Sequence, residues 1–561
     1  MVNEKAGGMP AEIQVTWPAR LRDALSAAGR LLKDEAPALA AGALGSLAAI
    51  VVMGLLRVTW GTLTLPELLG NRTLPLLNTG QFVQLLVSFA PNQKTGPLAL
   101  TVLGQFVLGV LLGPLYARLA RSRTSIMGPL PARRAWLTVA GMVAAMELLA
   151  ALIFWPVLTG GIFGDPLDSA RLRTLVAMLL TFAAFGVVTA LADHWLRRAW
   201  APWLSGVAWR RAKPVQQTAL EQDLARIGRR DALIGAGAAV AAFAVGTGVL
   251  GRIVSAYFAR ANLAYEGHGT PVPVKPITPA DQFYVVSQNV LDPTVSADRW
   301  RLEVTGHVRQ PRSWTYDELR KLPAETRAIT LECISNEVGG SLISTAVWRG
   351  VTLEALLGLA GGATAAGKYV IFYSVDGYST SLPLADLLAA RTLLAWEMNG
   401  QPLPDRHGFP LRAVVPGRYG EQSAKWITRI ALADQPYKGL YQSQGWSDAP
   451  LSTLSRIDTP GRSASFGTIP VAGIAFSGTR GIRRVEVSAD GGASWHDATL
   501  DPPLSEHSWV LWRWTWQPAA RGTYTLAVRA TDGTGAVQTP VKRGTVPNGS
   551  TGWHQVKVTV S

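Results

Sequence analysis

Hydrophobic positions in this chain follow two regimes. In the first half they form long runs: residues 37–56, 98–117, 135–158, 174–192 and 232–250 are apolar, and only Glu147 places a charge inside one of them. At about 1.5 Å per helical residue, each run is long enough to cross a bilayer. A buried helix of a soluble protein is the alternative for any single run. Five in succession favour an N-terminal all-α transmembrane bundle of about five helices. Beyond residue 280 the runs shorten. Trp300-Arg301-Leu302-Glu303-Val304 and Arg327-Ala328-Ile329-Thr330-Leu331-Glu332 are strand-like, while residues 316–321 and 353–359 are helical, so residues 281–446 read as an α+β domain. After Pro460 the pattern is all-β. Residues 481–488, 510–516 and 524–529 alternate, with turns at Asp490-Gly491-Gly492 and Asp532-Gly533, and residues 447–561 are expected to form an immunoglobulin-like sandwich.

Composition and charge sharpen this picture. Of 561 residues, 48% are hydrophobic, and 53 Lys+Arg against 38 Asp+Glu give a formal charge of +15. Such a charge suits nucleic acid only where basic residues interleave with aromatics, and here they cluster between apolar runs, so no nucleic-acid partner is expected. Arg118, Arg121, Arg123, Arg133 and Arg134 crowd the second connection. The fourth holds Arg197, Arg198, Arg210, Arg211, Lys213, Arg226, Arg229 and Arg230. The first and third connections are poorer. Positive-inside bias then places the N-terminus and both basic loops in the cytoplasm, and five crossings leave everything after the last run outside. This is a multi-pass protein of the cell membrane, in contact with lipid, with its later domains extracytoplasmic.

The remaining segments follow from this frame. Residues 1–36 are a polar cytoplasmic tail, 37–254 the membrane region, and the Pro/Gly-rich residues 255–280 a linker. The apolar stretch 82–90 is too short to span and is expected on the surface or packed under the outer domain. Glu147 is either a functional carboxylate or one partner of a hydrogen bond between helices. Arg229-Arg230 before a weakly hydrophobic run is either a positive-inside anchor or a twin-arginine export signal.

The one cysteine, Cys333, lies where a strand ends and a Gly339-Gly340 breaker approaches. A lone cysteine is either a small buried hydrophobe or a thiolate, the latter serving as nucleophile or as single soft metal ligand. The surrounding pattern favours the ligand. Thr330-Leu331-Glu332-Cys333-Ile334-Ser335-Asn336, Tyr373-Ser374-Val375-Asp376-Gly377-Tyr378 and Asp405-Arg406-His407-Gly408-Phe409-Pro410-Leu411-Arg412 occur in order. Val414-Val415-Pro416-Gly417 and Ser423-Ala424-Lys425-Trp426 continue the series. Together they resemble the sulfite oxidase family of molybdopterin enzymes, from about Asp281 to the C-terminus.

That resemblance implies a molybdenum cofactor, Mo-molybdopterin, with Cys333 as the metal ligand and a catalytic residue. His407, Arg412, Ser423, Ala424 and Lys425 would hold the pterin, Ser374 would add a small hydroxyl, and Asp281, Tyr284 and Val285 would lie on an N-terminal strand that covers it. A surface salt bridge is the plain alternative for Arg412. On the substrate side the family's arginine-bearing triplet is replaced by Asn336-Glu337-Val338, and a carboxylate there would repel an anion. Arg418 would restore positive charge. Tyr437 is a candidate proton relay or else a structural hydroxyl. Residues 447–561 resemble the family's dimerisation domain, which leaves a homodimer as a possible assembly. Within them, Ser488 to Trp495 resemble the Asp-box of sialidases, but a single copy reads as a tight hairpin with a packed Trp.

These readings converge on a membrane-anchored molybdopterin oxidoreductase performing two-electron oxo transfer on a small-molecule substrate. One rival is a sulfoxide or S/N-oxide reductase of the same superfamily. The other is a non-catalytic, membrane-displayed binding module with a degenerate cofactor fold. One cysteine leaves no internal disulfide, iron–sulfur cluster or Cys-x-x-Cys-His haem site, and the membrane half holds the single histidine His194. No haem or iron–sulfur cluster is therefore expected in this chain. A separate electron carrier, a cytochrome or quinone-linked protein, is the expected partner.

Overall fold

The computed structural model describes residues 19–73, 95–120, 131–158, 167–208, 272–289 and 292–561, together with isolated positions between 76 and 88. The expected run at 232–250, the Arg229-Arg230 pair, most of the stretch 82–90 and most of the linker lie outside them. The described N-terminal helices are α1 (Ala19–Trp60), α2 (Leu65–Thr73), α3 (Thr95–Ala120), α4 (Arg133–Phe154) and α5 (Leu167–Ala208). Four segments of them, Glu35–Trp60, Pro97–Ala120, Arg133–Val157 and Arg171–Arg197, are long and apolar enough to cross a membrane, and they overlap the first four expected runs. Their outward leucines fit an apolar surrounding: Leu111, Leu148 and Leu152 are 61%, 63% and 69% exposed.

Small residues let α1 and α3 approach closely. A Cβ added at Gly113 would overlap the Ala38 carbonyl, and one at Gly42 would reach the Gly109 carbonyl oxygen at 2.5 Å. Ser46 Oγ donates to the Phe106 carbonyl at 3.3 Å beside them. With no hydrophobic drive between helices in lipid, such close packing and interhelical hydrogen bonds carry association.

The α+β region contains two sheets. Its strands are β1 (Arg301–Gly306), β2 (Arg312–Thr315), β3 (Glu325–Glu332), β4 (Ile343–Thr352), β5 (Tyr369–Ser374), β6 (Ser379–Pro383), β7 (Leu393–Met398), β8 (Gln401–Pro402), β9 (Arg412–Val414) and β10 (Ile427–Ala433). One sheet has the order β2-β1-β10-β5-β6; the other is β3-β4-β7-β8, with β9 also on β7. Short helices α6 (Tyr316–Arg320), α7 (Leu353–Leu359), α8 (Leu384–Ala389) and α9 (Leu440–Ser443) connect them. Helix α6 starts on a reciprocal Thr315–Glu318 cap, which satisfies its first free amides. Trp300, Val304, Phe372, Trp396 and Ile430 share one fully buried core.

The C-terminal region is β-rich, as expected. Its strands are β11 (Leu454–Thr459), β12 (Ser463–Ala464), β13 (Ile469–Phe476), β14 (Ile482–Ser488), β15 (His496–Asp497), β16 (Thr499–Leu500), β17 (Val510–Trp516), β18 (Gly522–Asp532) and β19 (His554–Val560). Sheets β11-β13-β17-β16 and β12-β19-β18-β14-β15 enclose a core that includes Val471, Val485, Trp512, Leu526 and Val558.

One expectation needs correction. The segment with Asp281, Tyr284 and Val285 is irregular rather than a strand. Its Tyr284 amide donates to the Ser344 hydroxyl at 3.0 Å, so a side chain takes the place of a ladder partner.

The α1–α3 contact gives a direct test. Gly113→Leu should lower the detergent-solubilised folded yield and thermal midpoint, at an overpacking cost of about 1–3 kcal/mol. Gly104→Leu on the same helix should change little, because no atom lies within 4 Å of an added Cβ.

Candidate active site

Strand β3 becomes continuously buried from Ala328 to Glu332, and Cys333 follows it directly. The Cys333 amide donates to the Leu342 carbonyl at 2.9 Å and its carbonyl accepts from Asn336 N at 2.9 Å. Asn336 locks the turn: Oδ1 accepts from Leu342 N at 2.9 Å and Nδ2 donates to Glu332 Oε1 at 3.2 Å. The C-terminal sandwich braces the same stretch. Thr330 N donates to the His507 carbonyl, Trp509 N donates to Thr330 Oγ1 at 2.8 Å, and Ser550 Oγ donates to the Asn336 carbonyl at 2.7 Å.

Cys333 lines a cleft of about 700 Å³. Of the candidate cofactor residues, Tyr284, Val285, His407, Arg412, Ser423, Ala424 and Lys425 line it too. His407 sits at the end of a 3-10 turn closed by Gly408, whose φ of +110° suits glycine and lets the Lys425 backbone pass close by. Its Nε2 lies 2.7 Å from the Ala280 carbonyl, which can only accept, so that nitrogen carries the proton. Burial and the neighbouring Arg412 push His407 down to about 3, so it is neutral at pH 7.

The cleft holds buried cations. Arg412 is 6% exposed, lies over the Trp348 ring at 5.3 Å, and spends one N–H on the His407 carbonyl, while its Nε has no partner. Burial lowers it to about 10. The Lys425 ammonium bonds the Val286 and Arg406 carbonyls at 3.3 and 3.1 Å, and burial lowers it to about 8. Neither cation forms an ion pair in the described structure. The buried Tyr284 hydroxyl also lacks a partner. Asp376 ties the covering segment down, accepting from Asn289 Nδ2 at 2.7 Å.

The other candidates lie elsewhere. Asp281 is exposed. Ser374 is buried at the end of β5 with an unpartnered hydroxyl, outside the cleft lining. Arg418 pairs with Asp386 at 2.9 Å and with the Asp448 carbonyl. The Tyr437 hydroxyl shares a hydrogen bond with Ser379 Oγ at 2.9 Å. Sequence reasoning did not single out Glu421, Tyr441 or Trp446, which line the cleft. A carboxylate in a Gly-rich loop and aromatics near a turn carry no periodic signal that would mark them.

This donor set fits a large anionic ligand with a soft metal: cations without carboxylate partners, a buried hydroxyl without a partner, and one thiolate-forming side chain. Among the described residues no group of three or more His, Cys, Asp or Glu side chains converges as a metal cage. A metal at Cys333 would therefore draw its other ligands from a cofactor.

Comparison with known proteins agrees with this geometry. The family model described as oxidoreductase molybdopterin binding domain matches residues 289–441, and the Mo-co oxidoreductase dimerisation domain matches residues 457–561. The chain is 32% identical over 342 residues to the mitochondrial sulfite oxidase of Rattus norvegicus, across 51% of this chain and 62% of that protein. It therefore spans about three fifths of that relative's length. It is 32% identical over 338 residues to the sulfite oxidase of Gallus gallus, across 50% of this chain and 72% of that one. Among solved structures, the sulfane dehydrogenase SoxCD from Paracoccus pantotrophus aligns with 48% of this chain and 75% of its own, at 24% identity and a TM-score of 0.44.

The buried ammonium has a pH signature. In the unfolded chain Lys425 keeps its proton to about 10.5, but in the folded one only to about 8. Between those values the unfolded state binds more protons, so the stability of cofactor-free protein should rise with pH, by up to about 3 kcal/mol. Urea unfolding at pH 7.5 and 10 should show this rise, and Lys425→Met should remove it. A slope of opposite sign would mean that the lysine already has an anionic partner.

Proposed function

Because this chain belongs to the sulfite oxidase family of molybdopterin-dependent oxidoreductases, we propose that it catalyses two-electron oxo transfer at Cys333. The observation that carries this is a thiol-bearing residue opening into a cleft lined by buried cations without carboxylate partners. In balanced form the reaction is X + H₂O ⇌ XO + 2 H⁺ + 2 e⁻, with the electrons exchanged one at a time with a separate carrier protein. Run in reverse, the same site reduces an S- or N-oxide.

When bound, the molybdenum cofactor supplies the two-electron couple and the exchangeable oxygen. The chain's own residues do the rest. Cys333 presents a soft anionic ligand, held at its amide and carbonyl so that its orientation does not depend on the metal. Arg412 and Lys425 would neutralise the cofactor's phosphate, with Ser423, Ala424, Tyr284 and Val285 along the same cleft. Neutral His407 fixes residues 280–283 against the turn that carries it, with the Phe283 ring edge-on at 5.4 Å. Burial excludes bulk water from the thiolate and strengthens these contacts.

The N-terminal helices serve as a membrane anchor with the N-terminus in the cytoplasm, and the cofactor domain faces outward. The C-terminal domain is immunoglobulin-like and joins two copies of the chain.

Purified protein should carry close to one molybdenum and one pterin per chain by elemental and fluorescence analysis. Cys333→Ser should abolish turnover while circular dichroism and thermal midpoint stay near wild type, since a hydroxyl is a poor soft-metal ligand. Full activity in that variant would overturn the assignment. For topology, a reporter fused after Ser561 should be active only outside the cytoplasm, and one inserted at Lys213 only inside.

A further inference from the structure

We infer that the wall of the cleft beside Cys333 selects a neutral or cationic organic substrate, with methyl or methylene groups flanking its reacting sulfur or nitrogen, and turns away free inorganic oxyanions. Glu421 is the residue that sets this preference. The inference rests on the oxo-transfer reading and narrows its substrate class.

Two groups of lining residues differ in chemistry. Arg406, His407, Arg412 and Lys425 are the cationic and imidazole group, whose charge a cofactor's phosphate would compensate. The opposite character begins at Ile334, the residue after Cys333. Ile334 packs in one apolar cluster with Tyr441 and Trp446. The Tyr441 and Trp446 rings stack at 4.3 Å, and Tyr378 tilts onto Tyr441 at 5.9 Å. All three rings line the cleft. Aromatic rings attract cations and polarised methyl groups.

Glu421 completes this wall. The Tyr378 hydroxyl donates to the Glu421 carbonyl at 2.5 Å, which fixes the Glu421 segment to the rings. Both carboxyl oxygens are buried with no side chain bonded to either, and the Ile334 amide faces the group. Burial raises Glu421 to about 8, so in an empty cleft the carboxyl can donate to a neutral oxide, while an entering cation draws it to the ionised form. Among the described residues no cation forms an ion pair with it, and Arg418, the residue expected to hold an anion, is occupied by Asp386 and the Asp448 carbonyl. An oxyanion in this cleft would share it with an acid and three aromatic rings.

The test uses full-length, molybdenum-loaded protein in detergent, with tetramethylammonium, dimethyl sulfone and sulfate as unreactive probes read by tryptophan fluorescence. Wild type should bind the two organic probes at least about tenfold more tightly than sulfate. Glu421→Gln should weaken tetramethylammonium about tenfold and dimethyl sulfone by less than about twofold, whereas Trp446→Leu should weaken both. Turnover is compared for dimethyl sulfide and sulfite with ferricyanide as oxidant. Sulfate binding tighter than tetramethylammonium, or a lower KM for sulfite than for the sulfide, overturns the inference but leaves oxo transfer standing. Unchanged probe selectivity in Glu421→Gln overturns it as well. Protein purified without molybdenum overturns both. Should the Glu421 variant fail to fold, the wild-type ranking and Trp446→Leu still decide.

Discussion

Positive charge buried without a carboxylate partner is the constraint on which the site depends. An ammonium or guanidinium taken out of water is strongly disfavoured unless an anion answers it. Arg412 and Lys425 hydrogen-bond only to carbonyls and lie over tryptophan rings, and burial pushes both toward their neutral forms. The surroundings hold them there regardless. Arg412 opens β9, which pairs with β7, and Lys425 is wedged between the Gly408 turn and the Trp426 ring at 4.3 Å. His407 avoids adding a third charge by staying neutral. The fold thus holds positive charge in the cleft that an anionic ligand would offset.

A second dependence links the thiol to the C-terminal domain. The stretch Ala328–Gly340 is hydrogen-bonded from outside its own domain at several points: Ser505 Oγ reaches the Ala328 carbonyl, His507 and Trp509 bracket Thr330, and Arg456 Nη1 donates to the Gly340 carbonyl at 2.5 Å. The His554 ring lies where a Cβ on Gly339 would be, so the sandwich sits close against the loop after Cys333. A metal ligand must be held to a few tenths of an ångström, and a loop alone rarely achieves this. Disturbing the sandwich should therefore loosen the thiol's position, even though no residue of β11–β19 lines the cleft.

Much of this was legible in residue order, and the exceptions share a cause. Uninterrupted apolar runs mark helices because lipid tolerates nothing else, and four of five runs coincide with described helices. Alternation located β17 at Val510–Trp516 to the residue. Cys333 directly follows β3, His407 ends its 3-10 turn and Arg412 begins β9, so regular elements fix three of the four exit directions, and Lys425 lies two residues before β10. Arg418 and Tyr437 do not converge with them, since where a loop side chain points depends on partners such as Asp386 and Ser379 that local sequence does not reveal. Asp281 to Val285 was expected as a strand only from the family resemblance, and no neighbouring strand offers it a ladder. Glu421 carried no signal in the sequence, and its burial comes from contacts that residue order does not reveal.

The cleft therefore divides two tasks by the sign of charge. At about 4 Å and an effective dielectric near 20, a single charge changes a ligand's energy by about 4 kcal/mol, several times the net worth of about 1 kcal/mol for a neutral hydrogen bond. Shape and hydrogen bonding alone could not keep a phosphate-bearing cofactor and an oxyanion substrate apart on a uniformly basic surface, because both would compete for the same cations. Keeping Arg412 and Lys425 for a cofactor, and setting Glu421 among three aromatic rings, would remove that competition.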